Sequence, residues 1–249
     1  MNDSSSYLTL FVFFLLTLIS EILGTIGGFG SSIFTVSFLQ FLFSFESVLM
    51  ITGLLHVFSN TFKIILFLKT IDWRLVLWLG VSSILFSMGG AYLIKFANQE
   101  YIKITLGIFL LGFSVFFFLN PTVTVTATLK NSVLGGSVAG FLAGFVGTGG
   151  ALRGLVMAAF NLEKNFFVGT SAAIDWGVDV SRTWIYITNQ YFKPEMIWYL
   201  PLLALAALAG SYLGQRILKY ISQELFKKII LALIGLTGVI MIAQQVTMN

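Results

Sequence analysis

Cysteine is absent from this chain, and histidine occurs once, at His56. The first absence removes disulfides, thiol catalysis and thiolate metal sites. The second, with few carboxylates beside it, leaves no ligand set for a metal cluster. Charge is equally scarce. Lys and Arg number 14 and Asp and Glu 10, so charged residues make up 10% of the 249, against roughly 25% in soluble domains. The formal net charge of +4 is that of Lys- and Arg-bearing cytoplasmic loops rather than of a nucleic-acid surface. Catalytic signatures are missing as well. No Ser/His/Asp constellation is present, the glycines near Gly147 lack the Lys-Ser/Thr tail of a phosphate loop, and Gly24–Gly30 follows no soluble strand. The expectation is a non-enzyme without a cofactor.

What is present is apolar: 57% of residues, 26 of them phenylalanine, with a mean hydropathy of +0.95. Several runs exceed the roughly 18 apolar residues of a spanning helix. No strand-length alternation repeats along the chain, which favours helices over a barrel. The fold class read here is an all-α integral membrane protein whose immediate partner is the lipid bilayer. The start, Met1 to Ser6, lacks the basic region and cleavage site of a secretory leader.

Ten helical segments are predicted. The first five are Tyr7–Leu23, Ser31–Phe43, Ser47–Leu68, Leu75–Ile94 and Ile102–Leu119. The second five are Ser132–Val146, Ala151–Phe160, Phe166–Ile187, Glu195–Tyr212 and Leu225–Ala243. Asn120-Pro121 closes the fifth, because proline cannot continue a helix and restrains its predecessor. Pro201 is expected to bend the ninth. A first membrane repeat, residues 1–121, is thus followed by a polar linker, 122–130, and a second repeat, 131–249.

The halves match in three blocks. Gly27 and Gly30 lie over Gly147 and Gly150, and Gly90-Ala91-Tyr92-Leu93 over Gly210-Ser211-Tyr212-Leu213. Gln99-Glu100-Tyr101-Ile102-Lys103 lies over Gln223-Glu224-Leu225-Phe226-Lys227. Two homologous five-segment repeats result. An odd number of passes inverts the second relative to the first, and one topology then leaves Lys63, Lys69, Arg74, Lys130, Lys164, Arg216, Lys219, Lys227 and Lys228 cytoplasmic. A four-plus-four parallel repeat is the rival arrangement.

Each half carries a glycine-rich break, Gly24–Gly30 and Gly147–Arg153. Each glycine costs a helix roughly 1 kcal/mol against alanine, so both stretches are expected to unwind or to turn as re-entrant hairpins. Unwound backbone at membrane depth survives only against protein or a water-filled cavity. Paired breaks in two halves mark a substrate site.

Buried charge points the same way. Arg153 follows the second break at the start of a short helix. Its guanidinium and the N–H groups of Gly149, Gly150 and Ala151 suit an oxyanion. Gly28, Gly30, Ser31, Ser32, Thr148 and Ser171 surround the breaks and complete the candidate substrate site. Candidates for proton coupling are Glu21, a turn before the first break, His56, and Asp175 and Asp179, four apart on one helix face. Asp179 and Arg182, three apart, form a structural or gating pair. Glu21 is also a candidate partner for Arg153.

Gly147-Thr148-Gly149-Gly150-Ala151-Leu152-Arg153, followed by Val168-Gly169-Thr170-Ser171-Ala172, resembles the signature of the sulfite exporter TauE/SafE family, also called toluene sulfonate uptake permeases. The resemblance covers nearly the whole chain. It implies secondary transport of small sulfur-containing anions, such as sulfite or organic sulfonates, across a bacterial inner membrane. A proton- or ion-coupled transporter working by alternating access is the leading expectation. A passive anion channel using the same residues, or a membrane scaffold without transport, are the alternatives.

Overall fold

The computed structural model describes residues 3–29, 31–39, 42–93, 99–146 and 149–246. All regular structure among them is helical. In chain order the helices are α1 (Asp3–Gly27), α2 (Ser31–Leu39) and α3 (Phe45–Phe67). Then come α4 (Trp73–Leu75), which continues through a π-helical stretch (Val76–Val81) into α5 (Ser82–Leu93), and α6 (Gln99–Leu119). The second half holds α7 (Leu129–Val146), α8 (Gly149–Ala159), α9 (Lys164–Thr188), α10 (Leu200–Tyr220) and α11 (Gln223–Val246). Among the described residues, four stretches are long and apolar enough to cross a membrane: Leu8–Gly27, Glu46–Thr70, Pro194–Tyr220 and Gln223–Ala243.

Helix boundaries follow local chemistry. The Asp72 carboxylate accepts from the N–H groups of Arg74 (3.0 Å) and Leu75 (3.1 Å) and starts α4. Asn161 (φ 53°) stands just beyond α8 and Gln190 (φ 62°) just beyond α9, in the left-handed conformation that closes many helices. Pro201 stands in the first turn of α10, directly after a 3-10 stretch, Pro194–Tyr199, so the change of helix type inside the predicted ninth segment falls next to it. The helix then runs past the predicted Tyr212 to Tyr220.

The chain forms two compact units. The first is Met1–Ile26, Gly30–Lys69 and Ala172–Tyr220; the second is Gly27–Phe29, Thr70–Ser171 and Ile221–Asn249. Each draws on both halves of the sequence. The first unit buries an apolar cluster of Phe13, Leu39, Val48, Ile51, Leu55, Leu203 and Ala207. Edge-to-face rings, Phe13–Tyr199 at 4.9 Å and Phe43–Tyr199 at 5.4 Å, close it. Gly210 and Gly214, one turn apart on α10, receive α1: a Cβ on Gly210 would stand 2.6 Å from Glu21 Cβ, and one on Gly214 2.5 Å from Thr25 Cβ.

The second unit uses the same device. Gly136 and Gly140 on α7 lie against the backbone of Leu79 and Ser83, and the Ser83 hydroxyl donates to the Gly136 carbonyl at 3.0 Å. Gly107 of α6 and Gly238 of α11 face one another, each blocking a Cβ on the other. Small residues let backbones approach where no hydrophobic force separates helix from lipid.

Both glycine breaks are shorter than predicted. α1 continues through Gly24 to Gly27, and α8 is already helical at Gly149. The roughly 1 kcal/mol disadvantage of each glycine is offset by close packing: a Cβ on Gly24 would collide with the Ser31 side chain, and one on Gly27 with Leu233. Gly30, Gly147 and Thr148 lie outside the described residues.

Candidate functional site

In α3, His56, Ser59, Asn60 and Lys63 recur at helical spacing (i, i+3, i+4, i+7) and form a polar stripe on an apolar helix. Each is buried. Glu21 of α1 meets this stripe with no exposed surface at all. Its Oε2 is 3.2 Å from Lys63 Nζ and accepts a hydrogen bond from the Ser59 hydroxyl, and its Oε1 is 4.0 Å from His56 Nε2. From α2, Ser31 Oγ lies 3.0 Å from His56 Nε2.

The other side of His56 belongs to α9. Arg182 Nη2 lies 2.8 Å from His56 Nδ1, and Asp179 Oδ2 lies 3.7 Å from the same nitrogen. Asp179 in turn accepts from Asn60 Nδ2 at 2.7 Å. It pairs with Arg182, Oδ1 to Nε 2.8 Å, although that N–H is not aligned on the oxygen. Lys63, Glu21, His56, Arg182 and Asp179 therefore form one continuous ionic network within the first unit. Burying charge costs several kcal/mol per ion unless partners compensate. Here two carboxylates face two cations, and the imidazole joins the pairs.

In the second unit the two breaks touch. Gly28 adopts φ +71°, and a Cβ there would stand 2.6 Å from Phe167 Cδ1. Phe29 lies on α8: its ring would block a Cβ on Gly154 at 2.7 Å, and its Cβ is 4.0 Å from that position on Gly150. Arg153, beside Gly154, is only 6% exposed. It sits one turn inside α8, whose first N–H groups come from Gly149, Gly150 and Ala151. Ser171 is buried in the same unit. Thr170 has a structural role, accepting the Asp72 N–H at 2.9 Å.

The structure thus brings together Glu21, Ser31, His56, Asp179 and Arg182 in the first unit, with Ser32 next to Ser31 on α2 and half-buried Asp175 one turn before Asp179. Gly28, Gly149, Gly150, Ala151, Arg153 and Ser171 belong to the second. Lys63 and Ser59 are additions. Lys63 is not a loop cation: α3 runs on to Phe67 and holds it buried, as the ion partner of Glu21. The four-residue polar stripe of α3 was the signal that marks it. Among the described residues no group of three His, Asp or Glu side chains converges as metal ligands.

The family model described as sulfite exporter TauE/SafE matches residues 12–241. A protein of Methanocaldococcus jannaschii named as a probable membrane transporter is 25% identical over 245 residues, covering 89% of this chain and 91% of its own. No solved structure matches.

Proposed function

Because the chain belongs to the sulfite exporter TauE/SafE family of membrane transporters, we propose that it is a secondary transporter of small sulfur-containing oxyanions, sulfite or organic sulfonates, coupled to protons and working by alternating access. It would act as a multi-pass protein of a bacterial inner membrane. The observation that carries this reading is the buried ionic network of Glu21, Lys63, His56, Asp179 and Arg182 on apolar helices. Ionisable groups at such depth are costly and mark ion or proton pathways. Arg153 and the N–H groups at the start of α8 bind the anion, and the network carries the proton.

The two halves are read as an inverted repeat. Asn60 and Asp179, equivalent positions at the offset that relates His56 to Asp175, hydrogen-bond to each other. The first helix of each half also meets the fourth pass of the other: α1 lies on the glycines of α10, and the glycines of α7 lie on α5 and its π-helical lead. Both pairings support a two-fold relation.

The test is flux in proteoliposomes. Arg153→Ala should abolish sulfite and sulfonate transport while the protein remains monodisperse and helical. Unchanged flux would remove Arg153 from the site.

A further inference from the structure

Arg182 enters the reading above as one half of a structural or gating pair and as a member of the buried ionic network. We propose that it is a second anion-binding cation, released from His56 and Asp179 when His56 takes up a proton. The inference rests on the transport reading and assigns its proton to one atom.

Donor and acceptor counting carries it. A guanidinium has only N–H donors. With Arg182 Nη2 2.8 Å from His56 Nδ1, that nitrogen must present its lone pair. The ring proton therefore resides on Nε2, which faces Ser31 Oγ at 3.0 Å and Glu21 Oε1 at 4.0 Å. A second proton goes to Nδ1, and two donors then confront each other at 2.8 Å. The other neighbour of Nδ1 is an acceptor, Asp179 Oδ2, at 3.7 Å. The imidazolium turns from the guanidinium to the carboxylate and competes with Arg182 for it. Arg182 is the member free to yield. Its side chain is 31% exposed, against 10% or less for His56, Asp179, Lys63 and Glu21.

The groups facing His56 are Glu21 from α1, Ser31 from α2, and Asp179 and Arg182 from α9, with Asp175 one turn before Asp179. On its own helix Ser59 and Lys63 reach it through Glu21, and Asn60 through Asp179. From α10, Ser211 reaches the Ser59 carbonyl at 3.5 Å, while Arg216 is held by Tyr212. With a neutral ring, the charges of Glu21 and Lys63 and of Asp179 and Arg182 cancel. With the ring protonated, these five groups carry one positive charge, which one monovalent oxyanion balances. The released guanidinium offers such an anion a two-pronged donor. One proton then accompanies one monoanion, and the loaded network is neutral.

His56 is the single histidine of the chain, so 15N-histidine labelling reports one ring without variants. The probe is methanesulfonate, a fixed monoanion. In detergent-purified protein, at a pH where the ring is neutral, the Nε2–H tautomer pattern should appear. Saturating methanesulfonate should convert it to the imidazolium pattern. Affinity for methanesulfonate should rise about tenfold for each unit the pH falls through that range, since binding and protonation are reciprocal. In Arg182→Gln the ring should no longer respond to the anion. An Nδ1–H tautomer, or a response that persists in Arg182→Gln, overturns the proposal. A silent ring, while methanesulfonate binds in an Arg153-dependent manner, overturns it and leaves the transport reading standing. Failure to bind methanesulfonate and sulfite at every pH, with no flux, overturns both.

Discussion

Lys63→Met leaves Glu21 fully buried without its cation, and the cost can be worked from the geometry. At the observed 3.2 Å and an effective dielectric constant near 20, the attraction is about 5 kcal/mol. The desolvation of two ions offsets most of it when both are present. Removing one partner keeps the other's desolvation and loses the attraction, which is destabilising by about 3–5 kcal/mol. Ser59 still donates to Glu21, so Lys63→Met should fall at the lower end. Glu21→Gln strands Lys63 and should fall at the upper end. The double variant removes both charges and should be closer to wild type than the singles' sum, with a coupling energy of about 1–3 kcal/mol. Equilibrium unfolding in mixed micelles of a mild detergent and dodecyl sulfate measures all four corners. Singles that each cost under about 1 kcal/mol and add to the double would refute an ion pair buried in apolar surroundings.

Glycine substitutions test the helix contacts. Gly140→Ala places a methyl group 2.5 Å from Ser83 Cα and 2.7 Å from its carbonyl carbon; backbone cannot yield as a side chain can, so a loss of about 1–3 kcal/mol is expected. Gly28→Ala combines a left-handed φ of +71° with a contact 2.6 Å from Phe167, and a loss of about 2–4 kcal/mol is expected in the same unfolding assay. Gly112→Ala meets nothing within 4 Å and should stabilise α6 by up to about 1 kcal/mol; a loss there would show that a partner covers this face.

Hydropathy and the spacing of Gly, Pro and charge located the helices well, since an apolar run long enough to span leaves few alternatives. The ionisable groups of the apolar runs were legible for a related reason: Glu21, His56, Asp175 and Asp179, the candidate proton carriers, and Arg182 of the structural or gating pair are conspicuous because charge in such a run is rare. Lys63 was not, because a cation near the end of a predicted spanning segment reads as one that reaches the cytoplasmic face, while the fold buries it against Glu21. Nor could sequence show how far the glycine stretches stay helical. Intrinsic propensity counts each glycine against the helix, yet Gly24 and Gly27 are where Ser31 and Leu233 come closest. That compensation is tertiary, between residues that propensity treats one at a time.

The seating of α1 on Gly210 and Gly214 also sets a timetable for synthesis. Glu21 leaves the ribosome early, and Lys63 follows 42 residues later, a delay of roughly 2–8 s at about 5–20 residues per second. The glycine face of α10 comes more than 170 residues after α1 is complete, roughly 9–35 s at the same speed. For that interval the first spanning helix resides in the membrane with its charge neutralised and its packing surface vacant. Ion pairing therefore precedes close packing in the biogenesis of this unit, and a nascent chain arrested before Leu200 should hold Glu21 against Lys63 while the small-residue seam is still unmade.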